Sequence, residues 1–271
     1  MTTPYDTILL TGAAGALGTE LRRGLAPLCK TLRVADRNQI VDVRPNEEAV
    51  IFDLADEAAT IAATEGVDAI VHMGGAPLEM PWQEILDSSI RGSYHIYEGA
   101  RKHGVKRIAY ASSVHAIGFH RLSDHIGADT PVRPDTLYGV SKCFVEALSS
   151  LYYDKFGIET ACVRIFSSFP EPADRRHLWS WLSHADCVRL FSAALTAPHV
   201  GHTIAFGMSD NKVKPVDNTG AGHIGFTPKD SSEPYRAALE ARTPAADPAA
   251  RSTRCYGGAF VDFPHPDDDA A

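Results

Sequence analysis

The 271-residue chain predicts an α/β fold: a doubly wound parallel sheet followed by small C-terminal substrate-facing segments. Two observations predict it. Short apolar runs alternate with helical stretches over the first 165 residues, the β-α-β rhythm that lays helices on both faces of a parallel sheet. A glycine turn, Gly12-x-x-Gly15-x-x-Gly18, stands between the first apolar run and the first helix. Together they make the sheet a Rossmann-type one, with residues 1–165 as a dinucleotide-binding core and 166–271 as substrate-facing segments of the same single domain.

In chain order, Thr7 to Thr11 reads as the first strand and the stretch through Leu25 as the first helix. Thr31 to Asp36, Ala49 to Leu54 and Asp68 to Gly75 read as buried strands, with a helix over Ala55 to Glu65. A long helix from about Pro81 to Gly104, a strand Arg107 to Ala111, a helix Leu137 to Gly157 and a strand Glu159 to Ile165 complete the core. Beyond Phe169 prolines become frequent. A helix His184 to Thr196, a strand Thr203 to Gly207 and a short helix Tyr235 to Arg242 are expected among loops, with Asp267-Asp268-Asp269 a solvated acidic tail.

Twenty-six Lys and Arg against thirty-four Asp and Glu give a formal charge of −8, which argues against a nucleic-acid backbone or an anionic membrane as partner. No apolar window approaches the ~18 residues of a membrane span, and Met1 to Leu10 lacks the pattern of a signal peptide. The five cysteines are odd in number and contain no Cys-x-x-Cys pair, so they read as reduced thiols of a cytoplasmic protein. His115, His120 and His125 are five apart, but no carboxylate or thiol spacing beside them forms a metal motif, and no metal is expected.

The glycines of the first turn let backbone N–H groups approach a pyrophosphate at the helix N-terminus, a cradle formed by Gly12, Ala14, Gly15, Ala16, Leu17 and Gly18. Asp36, eighteen residues beyond Gly18, ends the second strand, where a carboxylate accepts from ribose hydroxyls and repels a 2′-phosphate. NAD is therefore expected over NADP, with Arg37 the residue that could offset the repulsion. Asp53 and Leu54, and Gly74 and Gly75, fall at the carboxyl ends of the next strands, along the path of a dinucleotide; a helix N-cap is the competing role for Asp53.

Of nine tyrosines only Tyr138 is followed four residues later by a lysine, Lys142, which sets phenol and ammonium on one helical face. A free phenol titrates near 10, too high for a base at neutrality, and the expectation is that the neighbouring ammonium and a positive nicotinamide lower it. Lys142 would also donate to the nicotinamide ribose. Ser112-Ser113 ends the fifth strand on the same sheet edge.

The glycine turn, Ser113 and Tyr138-x-x-x-Lys142, in that order, resemble the extended short-chain dehydrogenase/reductase superfamily. Ser112 to Phe119, Ser167-Ser168-Phe169-Pro170-Glu171-Pro172, Trp181-Leu182-Ser183, Gly207 to Asn211, Gly225 to Glu233 and Gly257-Gly258-Ala259-Phe260 are similar to uronate dehydrogenases within it. The resemblance implies NAD-dependent oxidation of the anomeric carbon of a free uronic acid to an aldarolactone, with Ser113, Tyr138 and Lys142 catalytic and Tyr138 the base. It implies substrate contacts from Ser113, His115, Tyr138, Ser167, Arg176 and Phe260, with Arg176 on the carboxylate and Arg175 as competing assignment. It also implies, by analogy with superfamily dimers, a homo-oligomer through the two long helices.

Pro77, Val114 and Phe166 depart from the family's Ser, Asn and Gly, so the pocket loses polar partners and gains bulk. An unpaired sugar hydroxyl costs roughly 1 to 3 kcal/mol, and the preferred sugar is therefore open to change. Ser89 stands where extended members carry Asn, for which a weaker structural hydrogen bond is expected. A dehydrogenase of another aldose or sugar acid and a nucleotide-sugar epimerase or dehydratase remain the alternative readings.

Overall fold

The computed structural model describes residues 3–268. Seven parallel strands form one sheet: β1 (Tyr5–Thr11), β2 (Cys29–Asp36), β3 (Glu47–Ile51), β4 (Ala69–His72), β5 (Arg107–Ser113), β6 (Glu159–Ile165) and β9 (His202–Gly207). Their order is β3-β2-β1-β4-β5-β6-β9, so the chain turns outward in both directions from the β1–β4 boundary. That reversal opens a crevice at the carboxyl ends of β1 and β4, where ligands of such sheets bind. A two-stranded pair, β7 (Ser167–Ser168) with β8 (Trp181–Leu182), lies beyond the end of β6.

Nearly continuous apolar runs make these strands, as a sheet covered on both faces demands. On one side α1 (Ala16–Leu25) packs beside α7 (His184–Thr196), burying Ile8, Leu10, Leu21, Leu25, Leu190 and Phe191. On the other, α2 (Glu57–Ala62), α4 (Gly92–His103) and α5 (Leu137–Phe156) cover Leu9, Ile70, Ile96, Tyr97, Ile108 and Val145. The single turns α3 (Trp82–Glu84), α6 (His177–Ser180) and α9 (Arg251–Arg254) and the two-turn α8 (Arg236–Arg242) are the remaining α-helices among the described residues. A third apolar cluster joins Val114, Phe166, Phe206, Met208 and Tyr256, and it carries the C-terminal segments.

Most elements stand where the sequence puts them, with corrections at their ends. The third strand stops at Ile51, which leaves Asp53 and Leu54 on the loop beyond it. The helix expected over 55–65 is regular only from Glu57 to Ala62. Its N-cap is Asp56, whose side chain accepts from the Ala59 N–H, and Asp53 instead accepts from the Ala55 N–H in a local turn. The long helix expected from Pro81 to Gly104 is interrupted by a π-helical segment, Ile85–Arg91, before α4 ends at Gly104. Ser89 lies in that segment, buried, and its Oγ accepts the Ala76 N–H at 3.0 Å, which fastens the β4 loop to the helix. Asp267 and Asp268 are exposed; Asp269 lies outside the described residues.

Candidate active site

The crevice has two connected parts. The first, of about 270 Å³, is lined by Gly12, Ala14, Gly15, Asp36, Asp53, Leu54, Gly74 and Gly75 together with Arg37, Asn38 and Glu84. The second, of about 510 Å³, runs from Gly12, Gly15, Ala16, Leu17 and Gly18 past Ser113, Val114, His115, Tyr138 and Lys142 to Phe166, Ser167, Arg176 and Phe260. Apart from Arg175, every residue that the sequence singled out for cofactor, chemistry or substrate borders one of these two spaces, which share Gly12, Gly15, Met73, Ala76 and Pro77 as lining.

Its phosphate-sized end is a backbone cradle. Gly12 has φ +69°, and a Cβ there would stand 2.9 Å from the Gly74 nitrogen; a Cβ at Gly18 would stand 2.1 Å from the Gly12 carbonyl oxygen. Gly15 caps α1 with no side-chain hydrogen bond, and the first turn holds no acidic residue, so its N–H groups remain available to an anion. Asp36 accepts from the Ala14 and Asn38 N–H groups at 3.0 and 2.9 Å, which aims its carboxylate along the crevice wall. Arg37 turns to Glu84 at 3.5 Å. Thr11 Oγ1 accepts from the Gly74 N–H at 3.1 Å and so holds the two strand ends together. These residues fit a dinucleotide.

Behind the second part, α5 carries Tyr138, Lys142 and Glu146 on one face, four residues apart. Lys142 Nζ donates to the Ala111 carbonyl at 2.9 Å and sits 5.1 Å from the centre of the Tyr138 ring. Glu146 is buried and takes both fork nitrogens of Arg164, at 2.9 and 2.8 Å, and the Ser112 hydroxyl at 2.6 Å. This pins the end of β5, hence Ser113, to the helix that carries Tyr138. Burial lowers Lys142 to about 8, with Glu146 opposing. Burial also pushes the Tyr138 phenol up to about 12, with the Ser113 hydroxyl opposing the rise and the Asp135 carboxylate adding to it. Lys142, held off to a backbone carbonyl, does not offset that burial, so the lowering expected of the phenol depends on the charge of the nicotinamide.

The far wall comes from the C-terminal segments. Arg176 donates to the Tyr256 carbonyl at 2.6 Å and to Ser167 Oγ at 2.5 Å, while its buried Nε has no protein partner. Arg175 points away, to the carbonyls of Thr243 and Glu240. Phe260 stacks on the His115 ring with centroids 3.9 Å apart.

Two carboxylates of the site are not legible in the sequence. Glu79, on the loop after β4, accepts the Leu137 and Tyr138 N–H groups at 3.1 and 2.7 Å and so caps α5 together with Thr136. Asp135 is fully buried against His115. Each is 20 or more residues from its partner, so no local pattern marks it.

A family model for the NAD dependent epimerase/dehydratase family matches residues 8–185. The chain belongs to this family. Among its relatives, a uronate dehydrogenase of Pseudomonas putida is 50% identical over 96% of this chain and 97% of its own length. The crystal structure of glucuronic acid dehydrogenase from Chromohalobacter salexigens superimposes with a TM-score of 0.95 at 42% identity, covering 97% of this chain and 99% of that one. A tyrosine-to-alanine variant of the Agrobacterium tumefaciens uronate dehydrogenase, crystallised with NAD, superimposes with a TM-score of 0.93 at 46% identity over 96% and 98% of the two chains. Among the described residues no helix is long and apolar enough to cross a membrane.

Proposed function

We propose that this protein oxidises the anomeric carbon of a free uronic acid, glucuronate or galacturonate, to the aldarolactone with NAD. The observation that carries the reading is the convergence of Ser113, Tyr138, Lys142 and Arg176 on one cavity that opens onto the glycine cradle. Half-identity to a uronate dehydrogenase over nearly the full chain supports it.

In this reading Gly12, Ala14, Gly15, Ala16, Leu17 and Gly18 hold the pyrophosphate, Asp36 the adenosine ribose, and Asp53, Leu54, Gly74 and Gly75 the rest of the dinucleotide. NAD, when bound, supplies the hydride acceptor for the anomeric C–H and a positive ring that favours the phenolate form of Tyr138. Tyr138 takes the anomeric hydroxyl proton, Ser113 donates a hydrogen bond to the same oxygen, and Lys142 anchors the ribose. Arg176 binds the carboxylate of the sugar acid: Ser167 and Tyr256 each take one hydrogen from its two terminal nitrogens and orient the fork, and each of those nitrogens keeps a second N–H to donate. His115 and Phe260 wall the sugar ring.

The domain reading follows: residues 1–165 bind the cofactor, and 166–271 supply the pocket wall within one domain. The exposed Val140, Phe144 and Leu151 on α5, with Tyr94 on α4, support a homo-oligomer formed through these helices. Five free cysteines, four of them buried, support a cytoplasmic setting. The decisive experiment is NADH formation by the purified protein with glucuronate, galacturonate, the matching neutral aldoses and UDP-glucuronate, each with NAD+ and NADP+. Turnover of the free uronates with NAD+ is expected. Turnover of UDP-glucuronate alone, or of the neutral aldoses in preference, would overturn the reading.

A further inference from the structure

The His115–Asp135 pair is built with more care than a chance contact requires. Asp135 has no exposed side-chain surface, and its two oxygens lie 2.8 and 3.1 Å from His115 Nδ1. The Thr136 hydroxyl donates to the same carboxylate at 3.0 Å. Space for it is made from two distant parts of the chain: a Cβ on Gly118 would lie 1.9 Å from Asp135 Oδ2, and one on Gly257 would lie 1.8 Å from it. The backbone holds these two glycines together, since the Gly257 N–H donates to the Gly118 carbonyl at 2.9 Å. The ring is fixed as well, with Phe260 stacked on its face and the Tyr138 ring set against it edge-on at 5.7 Å.

A carboxylate accepts hydrogen bonds and cannot donate them, so it selects the tautomer in which His115 carries its proton on Nδ1. Nε2 is then left with a free lone pair. It has no hydrogen-bond partner among the described residues, and the ring lines the cavity. Beside it Val114 and Phe166 are apolar, and Ser167 Oγ is engaged by Arg176 and by the Ser180 hydroxyl 2.9 Å away.

We propose that Asp135 is a positioning residue that locks His115 as the Nδ1–H tautomer, making Nε2 the acceptor for one hydroxyl of the sugar and a determinant of which sugar is taken. This rests on the reading of the site as a sugar-acid pocket. Buried glycines at 118 and 257 then serve specificity, because they admit the carboxylate that orients the ring.

Long-range 1H–15N spectra of the full-length protein test it, with the His115 signal assigned from His115→Gln. The expected result is Nδ1 protonated and Nε2 unprotonated in the wild type, and a shift to the Nε2–H form in Asp135→Asn, whose amide can donate to Nδ1. In kinetics Asp135→Asn should raise the KM for the uronate by tenfold or more and leave the Kd for NAD+ within twofold. Among monodeoxy uronates, one should bind the wild type markedly worse than its parent, and that difference should vanish in Asp135→Asn. A wild-type Nε2–H spectrum overturns the inference even if the variant does not fold; so does an unchanged tautomer with an unchanged KM in a folded variant. A wild type silent on every uronate would instead sink the functional reading, and the spectrum would still decide the tautomer.

Discussion

Replacing Glu79 by alanine removes the two charge-assisted hydrogen bonds that the β4 loop makes to the first N–H groups of α5. Loss of a side-chain cap costs roughly 0.5 to 2 kcal/mol, and loss of a carboxylate at a helix N-terminus roughly 0.3 to 1. Glu79 is only half-buried, so water replaces part of what is lost, and a total of about 1 to 2 kcal/mol is expected. In a chain of this size that lowers Tm by roughly 2 to 6 °C. Activity should suffer too, because one of the two N–H groups belongs to Tyr138 itself, and the other end of the strap carries Pro77 and Leu78 over the cavity. A phenol displaced by loosening of this strap should reduce kcat by about tenfold, equivalent to about 1.4 kcal/mol at the transition state. Urea unfolding with and without NADH, and initial rates at saturating sugar acid, measure the two effects separately. Glu79→Gln, which keeps the shape without the charge, should fall between wild type and Glu79→Ala in both. If Glu79→Ala unfolds and turns over like the wild type, the coupling of this loop to the catalytic helix is refuted.

The other predictions address the remaining parts of the site. Tyr138→Phe should bind NADH with near wild-type affinity by fluorescence titration and lose turnover by about a thousandfold or more; equal loss of both would remove Tyr138 from its assigned role. Arg176→Lys should raise the KM for uronate about a hundredfold, since an ammonium cannot reproduce the fork, whereas Arg175→Lys should change it less than threefold. Asp36→Ala should narrow the NAD+ over NADP+ preference in kcat/KM by about tenfold or more, because the carboxylate that repels a 2′-phosphate is gone; an unchanged ratio would remove Asp36 from cofactor selection. His72 is wholly buried between Thr11 and Ser93, and burial depresses its pKa from 6.5 to about 3. The unfolded chain therefore binds the extra proton first, so its contribution to stability is complete above pH 6.5 and is lost as pH falls from there to about 3. Unfolding free energies measured across that window should fall with acidity, and His72→Gln should flatten the slope.

Much of this arrangement is legible in the chain because it is local. The strand-glycine-helix start, the pairing of Tyr138 with Lys142 at helical spacing, and Ser113 at a strand end each depend on residues close in sequence, and the parallel topology then carries them to one edge. What escaped depends on distance or depth. Asp135 and Glu79 find partners 20 and 58 residues away. The π-helical segment at Ile85–Arg91 has a periodicity too close to that of an α-helix to show in a pattern of apolar residues. The burial of Tyr138 escaped as well, because spacing reports which charges are near and says nothing about how dry the wall is.

The residues that close over His115 arrive last in the chain. A ribosome delivers the cradle at 12–18, the Tyr138 helix and finally β9 before Tyr256, Gly257 and Phe260 have been made. The dinucleotide cradle and the wall around His115 thus come from separate stretches of chain, and the carbonyl that steadies Arg176 belongs to the later one. Substitutions between Tyr256 and Phe260 can therefore alter the sugar side while leaving the cradle residues untouched.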